Sequence, residues 1–249
     1  MATTTDGAAL TSAHRLAQLA VRAALLADLS TLWRAVDPTN LVGTIGVFAD
    51  IAALVVQTRH RESESLSRRY FTNFRTAEGV AGQTPLLPSI EPPTAAMAGG
   101  RIRGAGLAGI IRARRAGFAP GAAAGNGFVK LSGTAGWLVL AGGRELIDTA
   151  ISRDRRTLGW MRVTSGAACD WCARIAGQGP MYKTRDAAGD SFHDHDGCTT
   201  EPVYSKETRL PPDSERYRAV WETSTEGLTG HEAVAAFRAA LAEPSTVSP

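Results

Sequence analysis

The stretch Leu41-Val42-Gly43-Thr44-Ile45-Gly46-Val47-Phe48-Ala49-Asp50-Ile51-Ala52-Ala53-Leu54-Val55-Val56 decides the reading of the fold. Leu41, Ile45, Phe48, Ala52 and Val55 fall at offsets of 4, 3, 4 and 3, the repeat of a helix that buries a narrow heptad-like seam. Asp50 interrupts the run, and no apolar stretch reaches the roughly 18 residues that a membrane span needs. Asp37-Pro38 supplies a start signal, with Asp37 as N-cap and Pro38 at the first helical position. On the far side the mixed-charge run Arg59 to Arg75 carries the helix to near Gly79. Upstream, Leu16, Leu19, Leu26, Leu29 and Trp33 recur near helical spacing, so residues 1–80 read as a long helical hairpin. Its apolar stripe is expected to pack on itself or on a neighbouring subunit.

Beyond the hairpin the texture changes. Gln83 to Pro93 holds Pro85, Pro88, Pro92 and Pro93 and reads as a linker or extended arm. Residues 98–143 carry 13 of the 26 glycines. Each glycine costs a helix on the order of 1 kcal/mol relative to alanine, so this region predicts small-residue helix packing or conformational plasticity. Residues 81–142 are therefore read as a Pro/Gly-rich basic connecting region. A helix is predicted over about Gly143 to Leu158, ended by Gly159. Short strands follow at Met161–Thr164, Met181–Tyr182 and Pro202–Tyr204, giving a module over 143–205. The tail, 206–249, reads as helical in two parts divided near Gly227–Gly230.

The net charge of +3 is unevenly spread. Residues 1–91 hold 8 acids and 8 bases, residues 92–144 hold 7 bases and no acid, and residues 145–249 hold 12 bases and 16 acids. The middle block is a candidate contact for nucleic-acid phosphate through Arg101, Arg103, Arg112, Arg114 and Arg115. The alternative is a solvated basic segment, since no aromatic is interleaved among these arginines to stack on bases. The opening residues Met1 to Asp6 lack the basic and apolar segments of a signal peptide, which predicts a soluble protein made and used on the cytosolic side, with no membrane partner.

The chemistry is concentrated in Cys169-Asp170-Trp171-Cys172 and Phe192-His193-Asp194-His195-Asp196-Gly197-Cys198. All three cysteines, and two of the five histidines, fall within this span of 30 residues. A Cys-x2-Cys turn places two thiolates around one ion, and a His-x2-Cys pair from a second turn completes a tetrahedron. The ligands read as Cys169, Cys172, His195 and Cys198, with His193 as the alternative to His195. His195 is favoured because its spacing to Cys198 mirrors the first pair. Four protein ligands leave no open position for water, so a Zn²⁺ here is structural. A zinc deaminase would need a His-x-Glu ahead of a Pro-Cys-x-x-Cys, and here the cysteine pair comes first with no such glutamate. In an extended strand Asp194 and Asp196 point away from the His193/His195 face. His14, His60 and His231 are expected on helix surfaces. Neither a Gly-x-Ser-x-Gly elbow nor a phosphate-binding Gly-x4-Gly-Lys-Ser/Thr loop occurs. No catalytic residue and no small-molecule substrate are assigned, and the fold class is mainly α with a small α+β zinc-knuckle module.

These residues carry a resemblance. Gly143-Arg144, Trp160 with Met161-Arg162-Val163-Thr164, Gly166, Cys169 and Cys172, Gly179-Pro180-Met181-Tyr182, Phe192-His193 with His195 and Cys198, and Pro202-Val203-Tyr204 occur in that order. The run resembles the MuF-like minor capsid, or head-morphogenesis, proteins of tailed phages infecting actinobacteria, over about residues 140–205. In that family the closing element is commonly His-x2-Cys-x-Cys, its cysteines and histidines are presumed to bind zinc, and the last cysteine falls here at Thr200. The resemblance implies a structural virion component of the inner head or portal region, present in the host cytoplasm during assembly, with portal or major capsid protein as partner. Two other readings stand beside it: a capsid maturation protease or zinc hydrolase, and an internal head protein that binds packaged DNA through residues 92–144.

Overall fold

The seam of residues 41–56 lies in the second of four long helices. The structure, a computed structural model, describes residues 2–164, 168–182, 194–207 and 210–242. The helices are α1 (Thr5–Trp33), α2 (Leu41–Ala77), α3 (Ala95–Arg115) and α4 (Pro120–Arg153). Thr4 caps α1 by accepting from the Gly7 N–H at 2.9 Å, and Thr94 caps α3 by accepting from the Met97 N–H. Asp37 does not cap α2. Its carboxylate accepts from the Thr39 N–H at 2.7 Å and closes a turn of its own, and Asn40, three residues on, caps the helix at Gly43. An aspartate that can bond two residues ahead nucleates such a turn more readily than it waits for a helix.

The four helices bury one shared core. Val21, Leu25 and Leu29 of α1 meet Phe48, Ala52, Ala53 and Val56 of α2, Ile102 of α3, and Leu131, Leu138 and Val139 of α4. The edge of Phe48 meets the Trp33 ring at 4.9 Å between centroids. Of the predicted seam, Ile45, Phe48 and Ala52 are buried, while Leu41 and Val55 are partly covered. By length and composition α1 is the one described helix that could cross a membrane. In this fold its Val21, Leu25 and Leu29 face the bundle.

The glycine-rich region is two helices of this bundle, and a boundary at 142/143 falls inside α4. The absent side chains bring α3 and α4 together. A Cβ on Gly109 would stand 2.9 Å from the Asn126 carbonyl oxygen, and one on Gly127 would stand 2.9 Å from that of Gly106. The segment between α2 and α3 is an arm held by its carbonyls. Arg68 donates to the Leu87 and Pro88 oxygens, Arg75 to those of Val80, Ala81 and Gly82, and Gln57 to that of Pro93.

A small module follows. β1 (Gly159–Val163) lies between β2 (Met181–Tyr182) and β3 (Thr199–Val203) in an antiparallel sheet of order β2-β1-β3. α5 (Asp170–Gln178) packs through Ala173 and Ala176 on Tyr217 of α6 (Pro212–Ser224) and Phe237 of α7 (Gly230–Ala242). The helix predicted to end at Gly159 stops at Arg153. There Asp154 turns back to a buried ion pair with Arg75 of α2 at 2.9 Å and accepts from the Tyr204 hydroxyl at 3.1 Å. That pair locks the module to the bundle.

Candidate metal centre

α5 begins at the first cysteine. Cys169 is its N-cap, with its Sγ accepting from the Cys172 N–H at 3.5 Å, so the Cys-x2-Cys spacing is set by the first turn of a helix. Cys198 arrives from the other side, at the start of β3. Between them stands a residue the sequence reading turned away. Asp196 Oδ2 accepts from the Cys172 thiol at 2.9 Å, and Oδ1 accepts from the Cys198 N–H at 2.8 Å. The ligand atoms of Cys172, Asp196 and Cys198 lie within 4.8 Å of one another. Cys172 and Cys198 are buried, and Cys169 is exposed at the edge of the cluster.

His195 is brought to the same loop and to a different neighbour. Its backbone takes φ 68°, and its Nε2 lies where a Cβ on Gly133 of α4 would be, 2.6 Å from that point. Asp194 reaches Lys130 of α4 at 3.0 Å. The strand alternation expected here does not hold: Asp194 and His195 both lie against α4 at Gly133, and Asp196 alone meets the thiols. His193 lies outside the described residues.

The electrostatics follow from burial. Hydrogen bonds to the Cys169 and Cys198 side chains, then desolvation and the charges of Cys198 and Asp196, push the Cys172 thiol far above its ordinary range. Burial by itself would raise Asp196. Hydrogen bonds from Cys172 and Cys198, together with the Arg144 charge, outweigh it and hold the carboxyl below its usual value. Arg144 of α4 donates through Nη2 to the Asp196 and Cys198 carbonyl oxygens at 2.9 and 3.1 Å. Desolvation lowers its guanidinium to about 10, against the pull of Asp196. Two buried thiols and a carboxylate, with a third thiol adjoining, fit a divalent ion that prefers sulfur. A cation would also favour the thiolate that hydrogen bonding, burial and the neighbouring charges disfavour at Cys172.

The five arginines of the basic block are all exposed on α3. At about 100° per residue, Arg101, Arg112 and Arg115 flank one side of the helix's buried stripe, and Arg103 and Arg114 flank the other. Arg101 lies over the Trp137 ring at 5.5 Å, and Arg114 donates to the Phe118 carbonyl at 2.8 Å. Three of the five fall in the last turn, where the helix dipole favours cations.

His231 is exposed, but His14 and His60 are buried. His14 Nε2 lies 2.9 Å from Ser67 Oγ of α2, and Gln18 bonds to Ser63 and Ser67 in the same seam. The surface reading fails at His14 because Ser67 of α2 partners its ring, which lowers the cost of burial, whereas His60 Nδ1 is buried with no hydrogen-bond partner among the described residues. Among the described residues the hydrogen-bonded Ser–His pair is interior, with Ser67 fully buried.

The family model described as VG15 protein matches residues 1–224. Neither the curated proteins nor the solved structures hold a match to the chain.

Proposed function

The chain belongs to the VG15 protein family, a viral gene protein family that points to a phage protein, and from that premise we propose that it is a structural minor capsid protein in phage head morphogenesis. The observation that carries this reading is the reach of the family match across both the bundle and the cysteine-bearing module. The four-helix bundle serves as the docking body, near the portal or on the inner capsid. The module is a rigid surface stapled by a structural Zn²⁺ that Cys169, Cys172, Asp196 and Cys198 would hold, with His195 as the ligand the sequence favours in place of Asp196. The ion would supply cross-linking alone. A module of roughly 60 residues draws much of its stability from such a staple. The role proposed is non-enzymatic, with a capsid maturation protease or zinc hydrolase as the alternative that an activity assay on the purified chain would reveal.

Mass spectrometry of mature heads and of portal-containing assembly intermediates tests the placement. The expected result is this chain with portal or major capsid protein, and its absence from both would overturn the reading. Metal analysis of the purified chain is expected to give one zinc per molecule. Cys172→Ser should lose it and leave amides of residues 159–163 and 199–203 unprotected from exchange, with α1–α4 still protected. A second reading has one observation in its favour, the exposure of all five arginines on α3. If they contact packaged DNA, changing them to glutamine should flatten the salt dependence of duplex binding by roughly 0.9 in slope per lost contact.

A further inference from the structure

A cavity of about 490 Å³ lies away from the cysteines, between α1, the end of β1, the middle of β3 and the start of α6. That volume is within the range of small-ligand sites. Its walls are mainly apolar, from Ala8, Val163, Leu210, Pro211 and Pro212. Its polar groups converge. Thr164 and Ser214 are 7% and 3% exposed, and neither side chain hydrogen-bonds to another described residue. Neither oxygen is among the fully enclosed polar atoms that lack a partner, so both hydroxyls open to the cavity and are free to meet a ligand there. Arg15 of α1 lines the cavity, half-buried and without an ion pair among the described residues. α6, 13 residues long, starts on the same wall with Pro211 as N-cap and no side-chain cap. The amides of Asp213 and Ser214 precede the first intrahelical bond, that of the Glu215 N–H to Pro211, and lie at the positive end of the helix.

Two acids also line the space. Glu201 is already engaged by the Ala2 N–H at 2.7 Å and by the Thr11 hydroxyl, and burial holds its carboxyl above the ordinary range. Asp213 is on the exposed side. The remaining surface is one guanidinium, two unused hydroxyls and a helix N-terminus set in an apolar wall. We propose that this cavity binds the carboxylate end of an apolar ligand, with Arg15, Thr164, Ser214 and the first turn of α6 at the carboxylate and the prolines against its body. A helix N-terminus is suited to an anion, and the apolar wall selects against inorganic phosphate.

The carboxylate can belong to a peptide C-terminus or to a fatty acid, and calorimetry with the full chain separates them. The probes are acetyl-Ala-Leu-Val as free acid, the same peptide as its amide, and octanoate. The free acid or octanoate, or both, should bind, and the tripeptide acid should bind at least tenfold tighter than its amide if the source is a peptide. Octanoate binding with the tripeptide acid silent assigns a lipid source. Arg15→Gln should weaken the carboxylate that binds at least tenfold, Arg15→Lys should restore part of it, and Ser214→Ala should weaken it with unchanged circular dichroism. No binding of either carboxylate, equal binding of tripeptide acid and amide with no binding of octanoate, or unchanged affinity in Arg15→Gln and Ser214→Ala would overturn the proposal. Ser214→Ala keeps the test available if Arg15→Gln disturbs the fold.

Discussion

His14 shows how far a single side chain can depart from its hydropathy. Desolvation lowers it from 6.5 to about 4, and it stacks on the Tyr70 ring at 4.2 Å while meeting Ser67. The folded protein therefore keeps it neutral where the unfolded chain binds a proton. Its contribution is fully present above about pH 6.5 and is lost as pH falls toward 4, on the order of 3 kcal/mol over that window. His60 is lowered in the same sense, by burial and then by Arg61. Unfolding midpoints measured from pH 7 to pH 4 should fall steeply, and His14→Gln should flatten the slope. The same polar seam misled the sequence reading. Leu16, assigned inward, is 56% exposed, while Thr11, His14 and Gln18 occupy the buried face. Periodicity finds a helix but cannot see hydroxyl partners on a second helix that make polar burial affordable. Asp196 was hidden for a related reason: His195 at positive φ turns the loop, and strand alternation carries no signal for such a turn. Phe48, by contrast, was legible. It is 4% exposed in the core, and Phe48→Ala should cost about 3–5 kcal/mol in denaturant unfolding.

At the scale of elements, the glycines of α3 and α4 fall into two kinds. Gly109 faces the backbone of Asn126 and Gly127, so an added methyl there has nowhere to go. Gly104 has nothing within 4 Å of the place a Cβ would take. Gly104→Ala should stabilise the protein by roughly 0.5–1 kcal/mol through helix propensity. Gly109→Ala should destabilise it by about 1–3 kcal/mol, because the two helices must move apart. Thermal melts of the two variants moving in opposite directions would check the pair, and both moving up would show the interface to be loose. Composition lists a penalty for each of these residues and is silent about what a missing side chain lets through. This is why residues 81–142 read as a connecting region when they supply α3 and most of α4. The Gln83–Pro93 arm and the division of the tail near Gly227–Gly230 were legible because proline and glycine act locally. The two tail helices are Pro212–Ser224 and Gly230–Ala242.

The molecule as a whole is two bodies with a short, buried joint. Arg75–Asp154, the Tyr204 hydroxyl and the Arg144 bonds to Asp196 and Cys198 cross it, and each pairs residues more than 45 positions apart. Such pairs leave no local trace in a sequence. Asp154→Asn should cost several kcal/mol, since it leaves the buried Arg75 charge with carbonyl partners and no carboxylate. Hydrogen exchange should then report opening of the module before the bundle. A different consequence follows from the arm between α2 and α3. Its grip is on main-chain oxygens, which every amino acid carries, and Leu86 within it is 89% exposed. The wording of the arm is therefore free at exposed positions such as Leu86, while Leu87 packs on the Tyr70 and Phe74 cluster, and a protease site could replace the exposed tip. The core draws on α1 and α2 before the cut and on α3 and α4 after it. The severed chain should travel as one species on size exclusion, a protein in two pieces that has kept its shape.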